Sequence, residues 1–141
     1  MKAAVFDTNV VVSGFLSPNG PPGRVVEWLR NGSVRAVMDD RIAAEYAEEL
    51  ARPAFRLPLA EVRIVLAGIR AKAQWVEVRA QDAAGDLRDP DDAPLLECAR
   101  AGGVAIVTGN LRHFPKSIAH GVPVLTPAQF VAECERAAKR D

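Results

Sequence analysis

The sequence is poor in the residues that usually announce a function: two cysteines, two histidines, one tyrosine and two tryptophans in 141 residues. Each scarcity excludes something. Cys98 and Cys134 stand far apart, form no Cys-x-x-Cys pair and lie within helical apolar patterns. That argues against a disulfide or zinc site and for core thiols in a reducing cytosol. An excess of one charge is also missing, because 18 basic residues balance 18 acidic ones. Zero net charge argues against a general polyanion binder and leaves room only for a local basic patch. The few aromatics, Phe15, Trp28, Tyr46, Phe55, Trp75 and Phe114 among them, do not form the interleaved stacking pattern of an RNA-recognition platform. Trp28, Tyr46 and Trp75 are expected in the core or at a dimer interface. No run approaches the ~20 apolar residues needed to cross a bilayer. The N-terminus carries one lysine and a short apolar run, which does not make a signal peptide. The expected location is cytoplasmic, with no membrane partner. There is no internal repeat, low-complexity tract or linker, so residues 1–141 read as a single domain with one proper core.

What the chain does have is strand and helix signals in alternation. Ala3 to Phe6 reads as a first strand ending in Asp7 and a turn through Thr8 and Asn9. Ser17 to Gly23, rich in Pro and Gly, reads as a loop. A helix through Val25, Val26 and Leu29 stops at Asn31-Gly32. Arg35 to Met38 is the second strand, ending in Asp39 and Asp40, and a helix from Arg41 to Ala51 follows. After Pro58, the residues Leu59, Val62, Val65, Leu66 and Ile69 recur at helical spacing. Trp75 to Val78 is the third strand, Ala80 to Pro90 a loop, Asp91 to Ala101 a helix ending at Gly102-Gly103, and Val104 to Val107 the fourth strand. Val122 to Leu125 is a short fifth strand whose proline places it at an edge. Thr126, Pro127 and Gln129 open the last helix as N-cap, N1 and N3. This order implies an α/β protein, a three-layer α/β/α sandwich with a central, mainly parallel sheet of about five strands.

In such sheets the ligand site lies beyond the carboxyl ends of the strands. That edge collects Asp7 and, after the fourth strand, Thr108, Gly109 and Asn110. Ile42, Glu45, Tyr46 and Glu49 share one helix face, whereas Glu48 points elsewhere. A glutamate flanked by Ile and Tyr on an inward face is costly unless paired, hydrogen-bonded or bound to a cation. Asp92 shares the face of Leu95, Leu96 and Ala99 at the first turn of its helix. Taken singly, each acid has a plainer reading: Asp7 as a turn or cap residue, Glu45 snorkelling to solvent, Asp91 or Asp92 as a helix cap worth about 1 kcal/mol. Convergence changes this. Three uncompensated carboxylates raise one another's pKa. A divalent cation removes that penalty, and hard oxygen ligands with retained waters suit Mg²⁺ or Mn²⁺. Such sites serve phosphoryl chemistry.

The pattern Ala4-Val5-Phe6-Asp7-Thr8-Asn9, an inward Glu45, Asp89-Pro90-Asp91-Asp92 before an apolar helix, and Val107-Thr108-Gly109-Asn110 with His113-Phe114-Pro115 resembles the PIN-domain nucleases. Within them it is most similar to the VapC-like toxin components of bacterial type II toxin–antitoxin pairs. The resemblance covers essentially the whole chain; each motif is short, but their order and spacing together are specific. It implies a metal-dependent endoribonuclease with Mg²⁺ or Mn²⁺ held by three or four acids. Carried over, these are Asp7, Glu45 and Asp92. Asp92 is preferred to Asp91 or Asp89 because it faces the core and stands eleven residues before Gly103, as the family's third acid does before its glycine. Many relatives place a fourth acid where this chain has Asn110. The departure implies one firmly held ion, with a second left open and Asp89 or Asp91 as substitute ligands. Thr108 is expected to orient a metal-bound water or a carboxylate, and Asn9 to brace the turn at Asp7. The resemblance further implies a homodimer and a small antitoxin partner that blocks the acidic groove.

Arg52, Arg56, Arg112 and Lys116 fall on loops or element ends and are candidate guides for an RNA backbone, each set against an ordinary solvated role. His113, near the active edge, is read first as a residue bracing its loop and second as a phosphate contact or proton-transfer group, and His120 carries no functional signal. Ser13 lacks any Ser/His/Asp logic and reads as a turn or helix-start residue. Two other readings stand beside the nuclease. One is a PIN-like RNA-binding or scaffold module that lost activity with the fourth acid. The other is a haloacid-dehalogenase-type phosphatase, for which Asn9 stands where a second acid is required and no lysine partner is evident.

Overall fold

The protein is described from a computed structural model covering residues 2–85, 89–115 and 121–140. Its elements are β1 (Lys2–Phe6), α1 (Thr8–Leu16), α2 (Pro21–Asn31), β2 (Val34–Met38), α3 (Asp40–Leu50), α4 (Leu59–Lys72), β3 (Gln74–Trp75), α5 (Ala93–Gly102), β4 (Ala105–Val107), β5 (Val124–Leu125) and α6 (Pro127–Arg140). The strands pair in parallel in the order β3-β2-β1-β4-β5. Together with the helices they make the expected α/β/α sandwich. Because both faces of the sheet are covered, its central strands β1 and β4 are continuously apolar from Ala3 and Ala105 rather than alternating. Ala4, Val5 and Phe6 are fully buried, as are Ile106 and Val107.

The order of the strands fixes where a site can form. From β1 the chain moves outward to β2 and β3, then returns to the other side of β1 as β4 and β5. The carboxyl ends of β1 and β4 therefore flank the topological switch point, where open α/β sheets hold ligands. Phe6 pairs with Val107 there, so Asp7 and Thr108 leave the sheet side by side.

Several expectations need correction. Asp7 leads directly into α1 rather than into a turn, so Ser13 lies inside a helix. The loop after it contracts to Ser17–Gly20, because Pro21 and Pro22 occupy the first turn of α2, where a missing N–H costs nothing. Gly23 is required there, since a Cβ would meet the Pro18 carbonyl oxygen at 2.0 Å. The third strand is only Gln74–Trp75. Trp75 is 43% exposed, not in the core. Its indole N–H donates to the Arg70 carbonyl at 3.1 Å, and the Arg70 guanidinium lies 5.5 Å from its ring. Trp28 is half-buried beneath Arg24, and Tyr46 is buried as expected.

Other local signals hold. Gly32 (φ 83°) ends α2 and Gly103 (φ 64°) ends α5, both in the left-handed region that favours glycine. Thr126 and Gln129 form a reciprocal capping box at α6, with backbone-to-side-chain bonds of 2.9 and 3.1 Å. β5 lies at the edge as expected, but it begins at Val124, so Pro123 precedes the strand rather than lying within it. Cys98 is buried, Cys134 is partly buried and both are free thiols.

Candidate active site

Asp7 occupies the N-cap position of α1, but its side chain makes no capping hydrogen bond. Its Oδ2 instead accepts from the buried Thr108 Oγ1 at 2.8 Å and from Asn9 Nδ2 at 3.3 Å. Its backbone N–H donates to the Val107 carbonyl at 2.9 Å. Burial pushes the carboxyl above its ordinary value; the Thr108 bond, the first backbone N–H groups of α1 and nearby His113 oppose the rise without cancelling it. Asn9 braces this corner as expected, though from within a helix. Its Oδ1 accepts from the Gly109 N–H at 3.0 Å, stapling α1 to the segment after β4.

Glu45 faces the same corner from α3. Ile42 and Tyr46 beside it are buried, and the Tyr46 hydroxyl donates to the carbonyl of Phe6, tying α3 to the end of β1. Burial raises the Glu45 carboxyl, and the charges of Asp7, Glu49 and Asp91 raise it further. Thr8 Oγ1 lies close enough to favour the ionised form. That hydroxyl is itself buried and has no hydrogen-bond partner of good geometry.

Asp92 is 8% exposed at the turn of residues Pro90–Asp92 leading into α5. The cap reading fails for it, since its side chain makes no capping bond to the helix. Its carboxyl is pushed up to about 6 by burial, with Asp7 and Asp89 adding to the rise and His113 opposing it. His113 Nδ1 lies 3.2 Å from Asp92 Oδ2. The contact ties the His113 turn to Asp92, a partner the sequence did not reveal.

The remaining candidates divide. Thr108 binds the Asp7 carboxylate, one of its two expected partners. Asn110 spends its Oδ1 on the Arg112 N–H at 3.2 Å, and its own N–H donates to Thr108 Oγ1. Asp89 caps the turn before α5 by accepting from the Asp91 N–H at 3.0 Å. Asp91 is exposed but close enough to act on the charge of Glu45. Asp39 is structural: it caps α3, and although burial opposes its ionisation, Arg41 and the Ile42 N–H hold its carboxyl below the ordinary value. Arg41 also pairs with Glu97 at 2.7 Å, locking α3 to α5 and hence the Glu45 and Asp92 elements to each other. Arg52 pairs with Glu49 and stacks on Phe55, while Arg56 ends a short 3₁₀ turn in the left-handed region. Arg112 is exposed beside His113. Lys116 and His120 lie outside the described residues.

A family model described as "PIN domain" matches residues 3–112, well over half of the chain. The chain belongs to the PIN domain family. Among curated proteins it is similar to the "Uncharacterized protein MJ1680" of Methanocaldococcus jannaschii, with 26% identity over 141 aligned positions spanning 94% of this chain and 91% of that one. No solved structure matches it. PIN-domain proteins are generally nucleases and typically use divalent metal ions. The phosphatase reading loses its basis, since Asn9 is committed to Asp7 and Gly109. No described helix is long and apolar enough to cross a membrane.

Whether these residues suit a metal turns on their chemistry. Among the described residues, no three Asp, Glu, His or Cys side chains are grouped tightly enough to chelate an ion by themselves. The donors are nevertheless all hard oxygens, three raised carboxyls share one corner, and a buried hydroxyl there is unpartnered. That set fits Mg²⁺ or Mn²⁺, which retain several waters and need only a few protein ligands.

A pH prediction follows. Asp92 holds its proton more tightly in the folded chain, about 6 against an ordinary 3.8, so the folded state binds more protons across that interval. Metal-free stability therefore falls as pH rises from about 4 to about 6, and Asp7 and Glu45, also raised, act in the same direction. A cation bound to ionised carboxylates reverses the trend. Thermal melts with and without Mn²⁺ should show a small stabilisation near pH 5 and a larger one near pH 7; equal shifts at both contradict this.

Proposed function

We propose that this PIN-domain protein is a Mg²⁺- or Mn²⁺-dependent endoribonuclease, with Asp7, Glu45 and Asp92 holding the cation. The observation that carries this is that burial raises all three carboxyls at the switch point of the sheet, and the charge of Asp7 raises Glu45 and Asp92 further. A site that makes carboxylates expensive without making them hydrogen-bonded caps is organised for a positive ligand. When bound, the cation supplies an activated water and neutralises charge on the scissile phosphate. The chain's own residues do the positioning. Thr108 and Asn9 fix the Asp7 oxygen, the Tyr46 anchor holds α3 and thus Glu45 against β1, and the Arg41 bridge keeps α3 and α5 in register. Hydrolysis then forms a bond from water oxygen to phosphorus and breaks the bond to the leaving ribose oxygen.

The role as toxin of a type II toxin–antitoxin pair rests on the VapC-like order of motifs. A homodimer and a small protein antitoxin belong to the same reading, as does a cytoplasmic setting for a single domain. Arg112, next to the site, and Arg52, Arg56 and Lys116 are proposed to guide the RNA backbone. Zero net charge makes any such guidance local.

One observation favours the inactive RNA-binding alternative: Asn110 contributes no charge, and its side-chain oxygen is already engaged. Cleavage separates the two. Single-stranded RNA incubated with the protein should be cut in the presence of Mg²⁺ or Mn²⁺ and left intact after chelation with EDTA. RNA that is bound but never cut with either ion favours the scaffold reading. Cutting that survives chelation overturns the metal-dependent one.

A further inference from the structure

His113 touches this corner but has no part in the proposed chemistry. Among the described residues it is the only side-chain hydrogen-bond or ion-pair partner of Asp92. The two differ sharply in setting: the imidazole is 41% exposed, the carboxylate 11%. The backbone explains how they meet. Asn110 caps the 3₁₀ turn Leu111–His113 and so turns its own side chain to the Arg112 N–H. The same turn delivers residue 113 to Asp92. Asn110 is thus spent on building the turn that carries the histidine.

We propose that His113 is a positioning residue for Asp92: its Nδ1–H holds one carboxylate oxygen in place, fixing the orientation in which Asp92 meets a cation. The inference rests on the metal-site reading above. Asp92 begins a helix without capping it, and among the described residues no other side chain bonds or pairs with its carboxylate. Hydrogen bonds that orient a metal ligand commonly change metal affinity by about 10- to 100-fold. His113 acts through Asp92 and is assigned no contact with RNA.

The test is Mn²⁺ affinity by calorimetry, together with cleavage kinetics on single-stranded RNA, for wild type, Asp7→Asn, His113→Ala, His113→Leu and His113→Asn. His113→Ala and His113→Leu should each weaken Mn²⁺ binding by about 10-fold or more. At saturating Mn²⁺ they should lower kcat with little change in KM. His113→Asn, which offers an amide N–H near the position of Nδ1, should recover most of the affinity. In an Asp92→Asn background, His113→Ala should have no further effect on the remaining affinity. If wild type and His113→Ala bind Mn²⁺ equally while Asp7→Asn does not bind, the positioning role is wrong and the metal site stands. A rise in KM alone also overturns it, by making His113 an RNA contact. If wild type itself takes up no Mn²⁺, both the metal site and this role fall. Half-exposed His113 is a mild place to substitute, and the leucine variant checks any loss of folding in the alanine one.

Discussion

Replacing Asp7 or Asp92 by asparagine is expected to abolish RNA cleavage while leaving the metal-free protein more stable than wild type. The first effect should be at least about 100-fold, the scale on which removing one electrostatic contributor at a reacting phosphate or carbonyl acts. The second follows from burial. Both carboxyls are raised by desolvation, so the fold is strained by their charge at neutral pH. Asparagine keeps the shape, removes the charge and can still accept from Thr108 at position 7 or from His113 at position 92. A rise of a few degrees in melting temperature is the expected size, at roughly 2–4 °C per kcal/mol for a chain near this length. Residues that weaken the fold when intact are the mark of a site kept for function. Scanning fluorimetry and an RNA cleavage assay on the same preparations check both halves. Variants that melt lower and cleave normally would make these acids structural rather than catalytic.

The largest effect on stability is expected from Phe130→Ala. Phe130 in α6 is 1% exposed and meets Phe6 edge to face, with ring centroids 5.3 Å apart and planes at 86°. Phe6 is the last residue of β1, directly before Asp7. Truncation removes the aromatic contact and leaves a cavity beside the central strand, costing about 3–5 kcal/mol. That is a large part of the about 5–15 kcal/mol typical of whole domains, and it should lower the melting temperature by roughly 6–20 °C. Phe130→Leu, which refills part of the space, should lose much less. Urea denaturation midpoints for the two variants make the comparison. A loss under about 1 kcal/mol for alanine would mean that α6 contributes little to the core.

The centre of the sheet was legible because β1 and β4 read as short unbroken apolar runs, and because glycines and a capping box mark helix ends. α1 was not legible. Val10, Val11 and Val12 are followed by Phe15 and Leu16, an apolar sequence with no polar stripe to reveal a period of 3.6, and Asp7 does not cap it. β3 came out shorter than Trp75 to Val78 suggested, since an edge strand ends where pairing ends, and only tertiary geometry decides that.

Glu45 and Asp92 could be picked out as carboxylates on apolar helix faces. The face rule works because burial of charge is costly whatever the fold. The contacts of Thr8 and His113 could not be read in this way. Thr8 is an unremarkable helix-start residue until Glu45 is packed over it. His113 lies in a short turn whose direction depends on how Asn110 hydrogen-bonds. The absent fourth acid was visible in the sequence, whereas the use the chain makes of Asn110 was not.

Calorimetric titration of Mn²⁺ near pH 7 into wild type and into Glu45→Gln tests the central claim most directly, because Glu45 reaches the corner from a separate helix. The account predicts saturable binding of about one ion per wild-type chain, from a site of few carboxylates completed by water, and binding weakened at least about 10-fold in the variant. Absence of binding to wild type, or identical isotherms for the two proteins, would contradict it.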